Sequence, residues 1–338
     1  MEKILQILSV FALLILVIKI FAKRLEKDFK EYYLYKRVPL MEGFSIENFA
    51  LDSGNRHLFI LLKTKVSVID LDTDEMKELV VFPPGIRSMA IAGPLNKGFI
   101  STSEIASVVV LDLISLTITK TISEPGFLDG ILFFEPFNNQ LFIFNRYKGS
   151  AVMIDPDNFT IRGSLGLPGR LSCPTSDDSG KIYGIIRDEN LIVEIDASNG
   201  RLNRQWPIDY GQTTGWLAFD RRNQLLFTVC ENNKMGVFDC KVGKLISVIS
   251  LGETPDSVVF EPEARLIFIS NSSGTITILS QGKRDEYKIV QLLPTQKGPG
   301  MIAVDPITKK IYLATSIPEV NSAGISSGLG ELLVFSNE

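Results

Sequence analysis

Residues 257–279 read SVVFEPEARLIFISNSSGTITIL, and KIVQLL follows at 288–293 after a polar turn. Valine, isoleucine and phenylalanine alternate in this stretch with small or polar residues, which is the pattern of short strands packed between neighbouring sheets. The stretch predicts four antiparallel strands, which we call A to D in chain order, at 257–261, 266–270, 275–279 and 288–293.

The same pattern recurs seven times between Gly43 and Ser336. The third strands of the repeats end at Asp70, Asp112, Asp155, Asp196, Asp239, Ser280 and Ser336. Their successive spacings are 42, 43, 41, 43, 41 and 56 residues, a nearly constant period with one late insertion. Short strands that repeat at a period in the forties are typical of β-propellers. The sequence therefore predicts an all-β, seven-bladed β-propeller, with an extra Gly/Ser-rich loop at 318–331.

The last repeat stops after its third strand, in LLVFSNE (332–338). Residues 34–40, LYKRVPL, resemble the fourth strands of other repeats, such as RQWPI at 204–208. We predict that 34–40 pairs with the third strand of blade 7 and closes the ring, which removes exposed sheet edges. The predicted domains are therefore a signal or anchor helix with its linker at 1–33, and the propeller at 34–338.

Residues 4–22, ILQILSVFALLILVIKIFA, are almost continuously apolar. This segment predicts a hydrophobic helix, which is either a signal peptide core or a membrane anchor. Ile20 is too bulky for a cleavage site after Ala22, so we favour the uncleaved anchor. Four basic residues between 23 and 30 follow the segment, and the positive-inside rule would place the propeller in the cytoplasm.

Composition excludes several classes of function. The net charge is −4 and the propeller lacks a cluster of lysine and arginine, which argues against a nucleic-acid partner. His57 is the only histidine, so sites that need several histidines or a catalytic triad are not expected. We interpret the three cysteines as small buried apolar residues without a disulfide. We expect no cofactor and no metal site, although calcium bound by oxygen ligands alone stays open.

The axial mouth of the ring is the remaining candidate site. Aligning the repeats places one set of residues at the starts of the A strands: Glu47, Arg87, Asp129, Ser172, Thr214, Asp256 and Gly300. The ends of the B strands bring a second set to the same rim: Asn145, Arg187, Cys230 and Asn271. The predicted ligand-binding residues are Glu47, Arg87, Asp129, Asn145, Arg187, Asp256 and Asn271. Such a ring of charges and amides suits a small polar ligand or a peptide, but its members could equally hydrogen-bond one another and water.

Several repeats resemble the YVTN-repeat (YncE-like) β-propeller proteins of bacteria. The resemblance rests on IFISNSSGTITIL (267–279), SVIDLDTDEMKEL (67–79), LLFTVCENNKMGVFD (225–239), MIAVDPITKKIYLAT (301–315) and RVPLMEGF (37–44). The resemblance covers roughly 34–336 and implies an exported propeller, in the periplasm or at the cell surface. This location is opposite to the cytoplasmic one that the basic residues after the apolar segment would give by the positive-inside rule. Arg87 and Ser88 depart from the pattern, since relatives often carry a histidine near this position.

Two functions compete on this evidence. The first is a non-catalytic, extracytoplasmic module that binds or scaffolds a protein or a small polar ligand at its axial top face, with residues 4–22 in a membrane. The alternative is a propeller enzyme of the lactonase, lyase or quinoprotein-dehydrogenase-like classes. That enzyme needs carboxylates at the channel mouth, such as Asp129 and Asp256, to act as a base or to hold calcium.

Overall fold

The computed structural model describes residues 29–40, 46–79, 85–103, 107–123, 130–282, 285–320 and 326–338. Within these ranges the chain forms seven four-stranded antiparallel sheets. The innermost strands of successive sheets contact one another around a closed circle, with the last touching the first. The predicted all-β, seven-bladed propeller is therefore confirmed. The predicted N-terminal helix lies outside the described residues, and no helix among those described is long and apolar enough to cross a bilayer.

The first and last strands in the chain are β1 (Tyr33–Pro39) and β28 (Ser326–Ser336), which both belong to blade 7. The strands of blades 1 to 3 are β2 (Ile46–Asp52), β3 (His57–Leu62), β4 (Lys65–Asp70) and β5 (Met76–Leu79); β6 (Ile86–Ala92), β7 (Lys97–Thr102), β8 (Ser107–Asp112) and β9 (Ile118–Ile122); and β10 (Gly130–Glu135), β11 (Gln140–Asn145), β12 (Ser150–Ile154) and β13 (Ile161–Gly166). Those of blades 4 and 5 are β14 (Leu171–Ser176), β15 (Lys181–Ile186), β16 (Leu191–Asp196) and β17 (Arg201–Pro207); and β18 (Thr213–Asp220), β19 (Leu225–Cys230), β20 (Lys234–Asp239) and β21 (Lys244–Ser250). Those of blade 6 and the rest of blade 7 are β22 (Pro255–Glu261), β23 (Leu266–Asn271), β24 (Thr275–Gln281) and β25 (Tyr287–Pro294); and β26 (Gly300–Val304) and β27 (Ile311–Val320). Short 3-10 turns at Gly93–Leu95 and Arg187–Glu189 complete the described elements.

The core lies between blades rather than within them. One buried cluster joins Phe99 of blade 2 to Leu132 and Ile143 of blade 3, and another joins Ile60 of blade 1 to Tyr312 of blade 7. Each sheet thus covers the apolar face of its neighbour, as in other repeat architectures. A single blade has no core of its own, so stability depends on the closed circle.

Strand β1 closes the ring by pairing antiparallel with β28, from Tyr33 opposite Ser336 to Pro39 opposite Glu331. This is the pairing predicted for 34–40. Val38 and Leu40 are buried between blades 7 and 1, and the Leu40 amide donates to the Gly330 carbonyl at 2.8 Å. The division of the chain at residue 33 stays a prediction, because nothing here tests the segment before it.

The extra residues of blade 7 do not form the loop expected at 318–331. Strands β27 and β28 instead continue their ladder to Val320 opposite Ser326. A hairpin of this kind pairs its backbone groups with each other, so it does not require apolar side chains to form a ladder.

Turns on one face explain why so many C strands end in aspartate. We call the face that carries the A–B and C–D turns the bottom face, and the opposite face the top. The Asp112 carboxylate accepts hydrogen bonds from the amides of Ile114 and Ser115, at 3.1 and 2.7 Å. Asp155 does the same for Asp157 and Asn158. These bonds lower the pKa of both carboxyls and fix the turn locally.

Acidic residues at the A-strand ends join neighbouring blades on the bottom face. Four of them are almost fully buried, and each accepts a hydrogen bond from the following blade: Glu135 from Ser176, Asp220 from Gln281, Glu261 from Lys309, and Asp305 from Arg56. We call these four contacts the blade latches. The Arg56–Asp305 latch is bidentate, with both N–O distances 2.7 Å, and it joins blade 1 to blade 7.

Candidate ligand-binding channel

An open cavity of about 670 Å³ runs down the axis between the A strands. Six of the seven blades contribute to its lining, and blade 6 does not. The wall is of mixed polarity, and its apolar side chains include Phe49, Ile91, Phe133, Trp216 and Met301 from five different blades. A cavity of this size and character lies within the usual range for small-molecule sites.

Charged side chains gather where the cavity meets the top face. Four arginines line this end, together with two carboxylates: Arg87, Arg146, Arg170 and Arg187, with Glu47 and Asp188. The lining therefore carries two more positive than negative charges, on a protein whose net charge is −4. A cleft with a surplus of one sign attracts ligands of the other sign.

The arginines are only partly engaged by protein groups. Arg170 forms a bidentate pair with Asp188, at 2.7 and 2.5 Å, and this pairing lowers the pKa of the Asp188 carboxyl. Arg187 lies 3.3 Å from Glu231 in an exposed pair. Arg146 is exposed and makes no hydrogen bond or ion pair with any residue in the described ranges. Spare guanidinium donors therefore remain at the mouth.

Arg87 sits deeper and contacts Glu47 at 3.2 Å. Its Nε is buried and has no hydrogen-bond partner among the described residues. A buried donor without an acceptor is costly to stability, and a bound anion or water would satisfy it.

The walls contributed by blades 4 and 5 are irregular at the same height. Strand β14 shifts register between Ser172 and Thr175, and Cys173 has a positive φ of 47°. Strand β18 shifts between Thr213 and Leu217, and Gly215 there has a φ of 94°, which favours glycine.

Polar contacts tie these two bulges together. The Ser172 hydroxyl donates to the Gly215 carbonyl at 3.2 Å, and the Leu217 amide donates to the Cys173 sulfur at 3.3 Å. Burial raises the pKa of the Cys173 thiol to about 11, so the sulfur is a wall atom rather than a thiolate nucleophile. Bulges redirect side chains, and here Trp216 lies within the register shift of β18 and lines the cavity.

The structure brings together only part of the predicted rim. Glu47, Arg87 and Arg187 line the cavity, as do Ser172 and Thr214. Asp129 lies outside the described residues.

The remaining predicted residues do not line the cavity. Asn145 accepts hydrogen bonds from the Tyr147 and Lys148 amides, at 2.7 and 2.9 Å, because its side chain caps its own turn. Asn271 is buried and donates to the hydroxyls of Thr275 and Thr277, both at 2.9 Å. Both side chains are thus engaged within their own hairpins, and the prediction that they bind a ligand stays a prediction.

Asp256 is likewise absent from the lining of the cavity. Its carboxylate accepts a hydrogen bond from the Gly300 amide at 2.7 Å, and burial raises its pKa. It joins blade 6 to blade 7 on the top side, as the blade latches do below. Of the carboxylates proposed for catalysis or calcium, Asp129 lies outside the described residues and Asp256 bonds the backbone; Glu47, at the same mouth, pairs with Arg87. No group of three metal-ligating side chains occurs within the described ranges.

Sequence reasoning missed three cavity residues that now matter most. Arg146 directly follows the predicted Asn145, and Arg170 precedes the A strand by one residue. Both lie in loops, outside the strand positions from which the rim was aligned. Trp216 is the third, and only the bulge in β18 explains its position.

The comparisons with known proteins support the fold assignment and show nothing further about this chain. No family profile matches the chain, and no curated protein matches it. Among solved structures, 1644 chains match. One is a chain in the crystal structure of the mitotic checkpoint complex, with a TM-score of 0.72 and 13% identity, covering 92% of this chain and 94% of that one. At this identity the likeness shows the propeller fold alone.

Proposed function

We propose that this protein is a non-catalytic binding module whose axial channel accepts a small amphipathic anion. The acidic group of the ligand would meet the arginines at the top face, and its apolar body would lie against Phe49, Phe133 and Trp216. The single observation that carries the proposal is a cavity whose wall combines large apolar side chains with a surplus of arginine at its mouth. Arginine is the side chain best suited to bind carboxylate or phosphate in two-point contacts.

The concave shape of the cavity favours a small ligand over a flat protein surface. A partner protein could present the same chemistry through one acidic, apolar side chain or a chain terminus, and propellers do occur in protein complexes. The enzyme alternative rests on free carboxylates at the mouth, and no described residue supplies one. We also propose, from the sequence resemblance, that the protein belongs with the YVTN-repeat propellers and is extracytoplasmic.

Tryptophan emission provides a direct test. Trp216 lines the cavity, whereas Trp206 lies in β17 and stacks on Tyr183 at 6.4 Å. In the Trp206→Phe variant the emission therefore reports on the channel. We expect 3-phenylpropanoate to change this emission at concentrations about tenfold lower than 3-phenylpropanol, which corresponds to about 1.4 kcal/mol for the charge.

Matched arginine variants distinguish the effect of charge at the channel mouth from the effect of charge elsewhere on the protein. Arg146→Gln together with Arg187→Gln should reduce the affinity for the anion to nearly that of the alcohol. Arg222→Gln, on the bottom face, should leave it unchanged. Equal binding of the anion and the alcohol to the unmodified channel would contradict the charge part of the proposal. No binding of either compound in the millimolar range would contradict the channel as a site.

A further inference from the structure

The N-terminal residues enter the propeller at its bottom edge. The Tyr32 ring packs against Phe268 at 5.5 Å, and its hydroxyl donates to the Lys309 carbonyl in the A–B turn of blade 7. The Gln291 side chain bonds both the amide and the carbonyl of Tyr32, at 2.9 and 2.7 Å. The Phe29 ring lies 6.5 Å from the Tyr32 ring, so the chain is attached to the body from Phe29 onwards.

Little chain separates this attachment from the predicted anchor. The apolar segment ends at Ala22, and seven peptide units lead from there to Phe29. Fully extended, they reach at most about 25 Å. With residues 4–22 in a bilayer, the bottom edge near blades 6 and 7 is therefore held close to the lipid.

The bottom face also carries apolar side chains at the tips of its turns. Four such residues are between 61% and 68% exposed: Ile114, Phe137, Val242 and Ile307. They come from blades 2, 3, 5 and 7, so they are distributed around the ring and not gathered in one patch. Among the described top-face loops, Tyr147 is the large apolar side chain with comparable exposure.

The charged side chains in the described bottom-face turns are of both signs, and some of them are paired. Lys97 bonds Asp157 at 3.0 Å, and Arg221 bonds Asp178 at 2.8 Å. These turns do not form the basic cluster that would draw the face to anionic lipid. Apolar insertion is the remaining attraction, and it does not require anionic headgroups.

From the exit point, the short tether and the apolar turn tips, we infer that the bottom face rests on the surface of the bilayer that holds the anchor. The occupant of this face is lipid, with the four apolar tips at the headgroup boundary. The arginine mouth then opens away from the membrane, towards the aqueous phase. This orientation is independent of what the channel binds and of the compartment in which the propeller lies.

Depth-dependent quenching in vesicles tests the orientation. The full chain, with Trp206→Phe and Trp216→Phe to remove native emission, is placed in zwitterionic vesicles whose acyl chains are brominated near the headgroup. Phe137→Trp then reports on the bottom face and Tyr147→Trp on the top. The two positions are matched, because both belong to blade 3 and both are 68% exposed. We expect the bottom tryptophan to be quenched several-fold more strongly than the top one.

A second variant distinguishes the contribution of the apolar turn tips from that of the N-terminal anchor. Ile114→Ser, Val242→Ser and Ile307→Ser together should leave the chain floating with the vesicles but weaken the quenching at position 137. Equal quenching at both positions, or stronger quenching at 147, would overturn the orientation. Co-flotation without quenching at either position would indicate another occupant of the bottom face, and failure to float would remove the anchor on which the inference depends.

Discussion

The bottom face buries its carboxylates between blades, whereas the top face leaves its arginines half-exposed around an open cavity. Asp305 and Glu261 are buried and satisfied by backbone amides and by a cation from the next blade. Arg170 and Arg187 instead form exposed pairs with donors to spare. The difference teaches that a charged group whose partners all lie within the protein stabilises the ring of blades. An arginine with unused donors at a cavity is instead available to bind a ligand. Each prediction below tests this distinction.

The largest effect is expected from breaking the Arg56–Asp305 latch. Burial by itself would raise the pKa of the Asp305 carboxyl, but hydrogen bonds from Arg56 and Thr308 outweigh it and hold the pKa well below its usual value. Arg56→Gln leaves a buried carboxylate without its counter-charge, which should lower the free energy of unfolding by about 3–5 kcal/mol at pH 7. Urea denaturation measures this loss.

The pH dependence of that variant provides its control. The depressed pKa of Asp305 contributes stability above the unfolded value near 4, and the contribution is lost as the pH falls through the folded pKa. The gap between the parent and Arg56→Gln should therefore be full at pH 7 and narrow in acid below about pH 4. A gap that stays constant with pH would show that the loss has another origin.

A smaller effect is expected at the neighbouring latch. Lys309 makes a single contact with the Glu261 carboxylate, at 2.8 Å, whereas Arg56 donates to both oxygens of Asp305. Lys309→Met should therefore cost about 1.5–3 kcal/mol, the usual range for one hydrogen bond to a charged group. Urea unfolding measures it, and a loss as large as that of Arg56→Gln would show that the number of contacts does not determine the cost.

On the top face, substitutions are expected to change ligand affinity rather than the free energy of unfolding. Arg170→Gln removes an exposed pair, so the free energy of unfolding should change by less than about 1 kcal/mol. Affinity for the phenylpropanoate anion should fall about threefold, or about 0.65 kcal/mol, because Arg146 and Arg187 remain at the mouth. Unfolding and emission titrations on the same variant measure both. A large loss of stability without a loss of affinity would reverse the assignment of this arginine.

The smallest effect is expected from the matching bottom pair. Arg221 and Asp178 are as exposed as Arg170 and Asp188, and they form a comparable ion pair. Arg221→Gln should change the free energy of unfolding by less than about 1 kcal/mol and leave anion affinity unaltered. Any loss of affinity would show that the effect of Arg170→Gln reflects net charge rather than position.

The regular parts of the fold could be predicted closely from the sequence. For blade 6, strands predicted at 257–261, 266–270, 275–279 and 288–293 lie at Pro255–Glu261, Leu266–Asn271, Thr275–Gln281 and Tyr287–Pro294. Strand alternation and turn chemistry are local, so a single repeat determines them.

The site could be predicted only in part, because its geometry is not local. The starts of the A strands and the ends of the B strands were identifiable from the repeat, and Glu47, Arg87 and Arg187 do line the cavity. The position of Trp216 depends on the bulge in β18, which the repeat pattern does not reveal. For Asn145 the alignment could not show that its side-chain oxygen accepts hydrogen bonds from the Tyr147 and Lys148 amides.

The pairing of the first strand with the last has a consequence for biosynthesis. Strand β1 leaves the ribosome early, but its partner β28 begins only at Ser326. At about 5–20 residues per second, the nascent β1 waits on the order of 15 to 60 s for that partner. Throughout this interval the growing chain presents an unpaired edge, because the circle can close only after β28 has been synthesised.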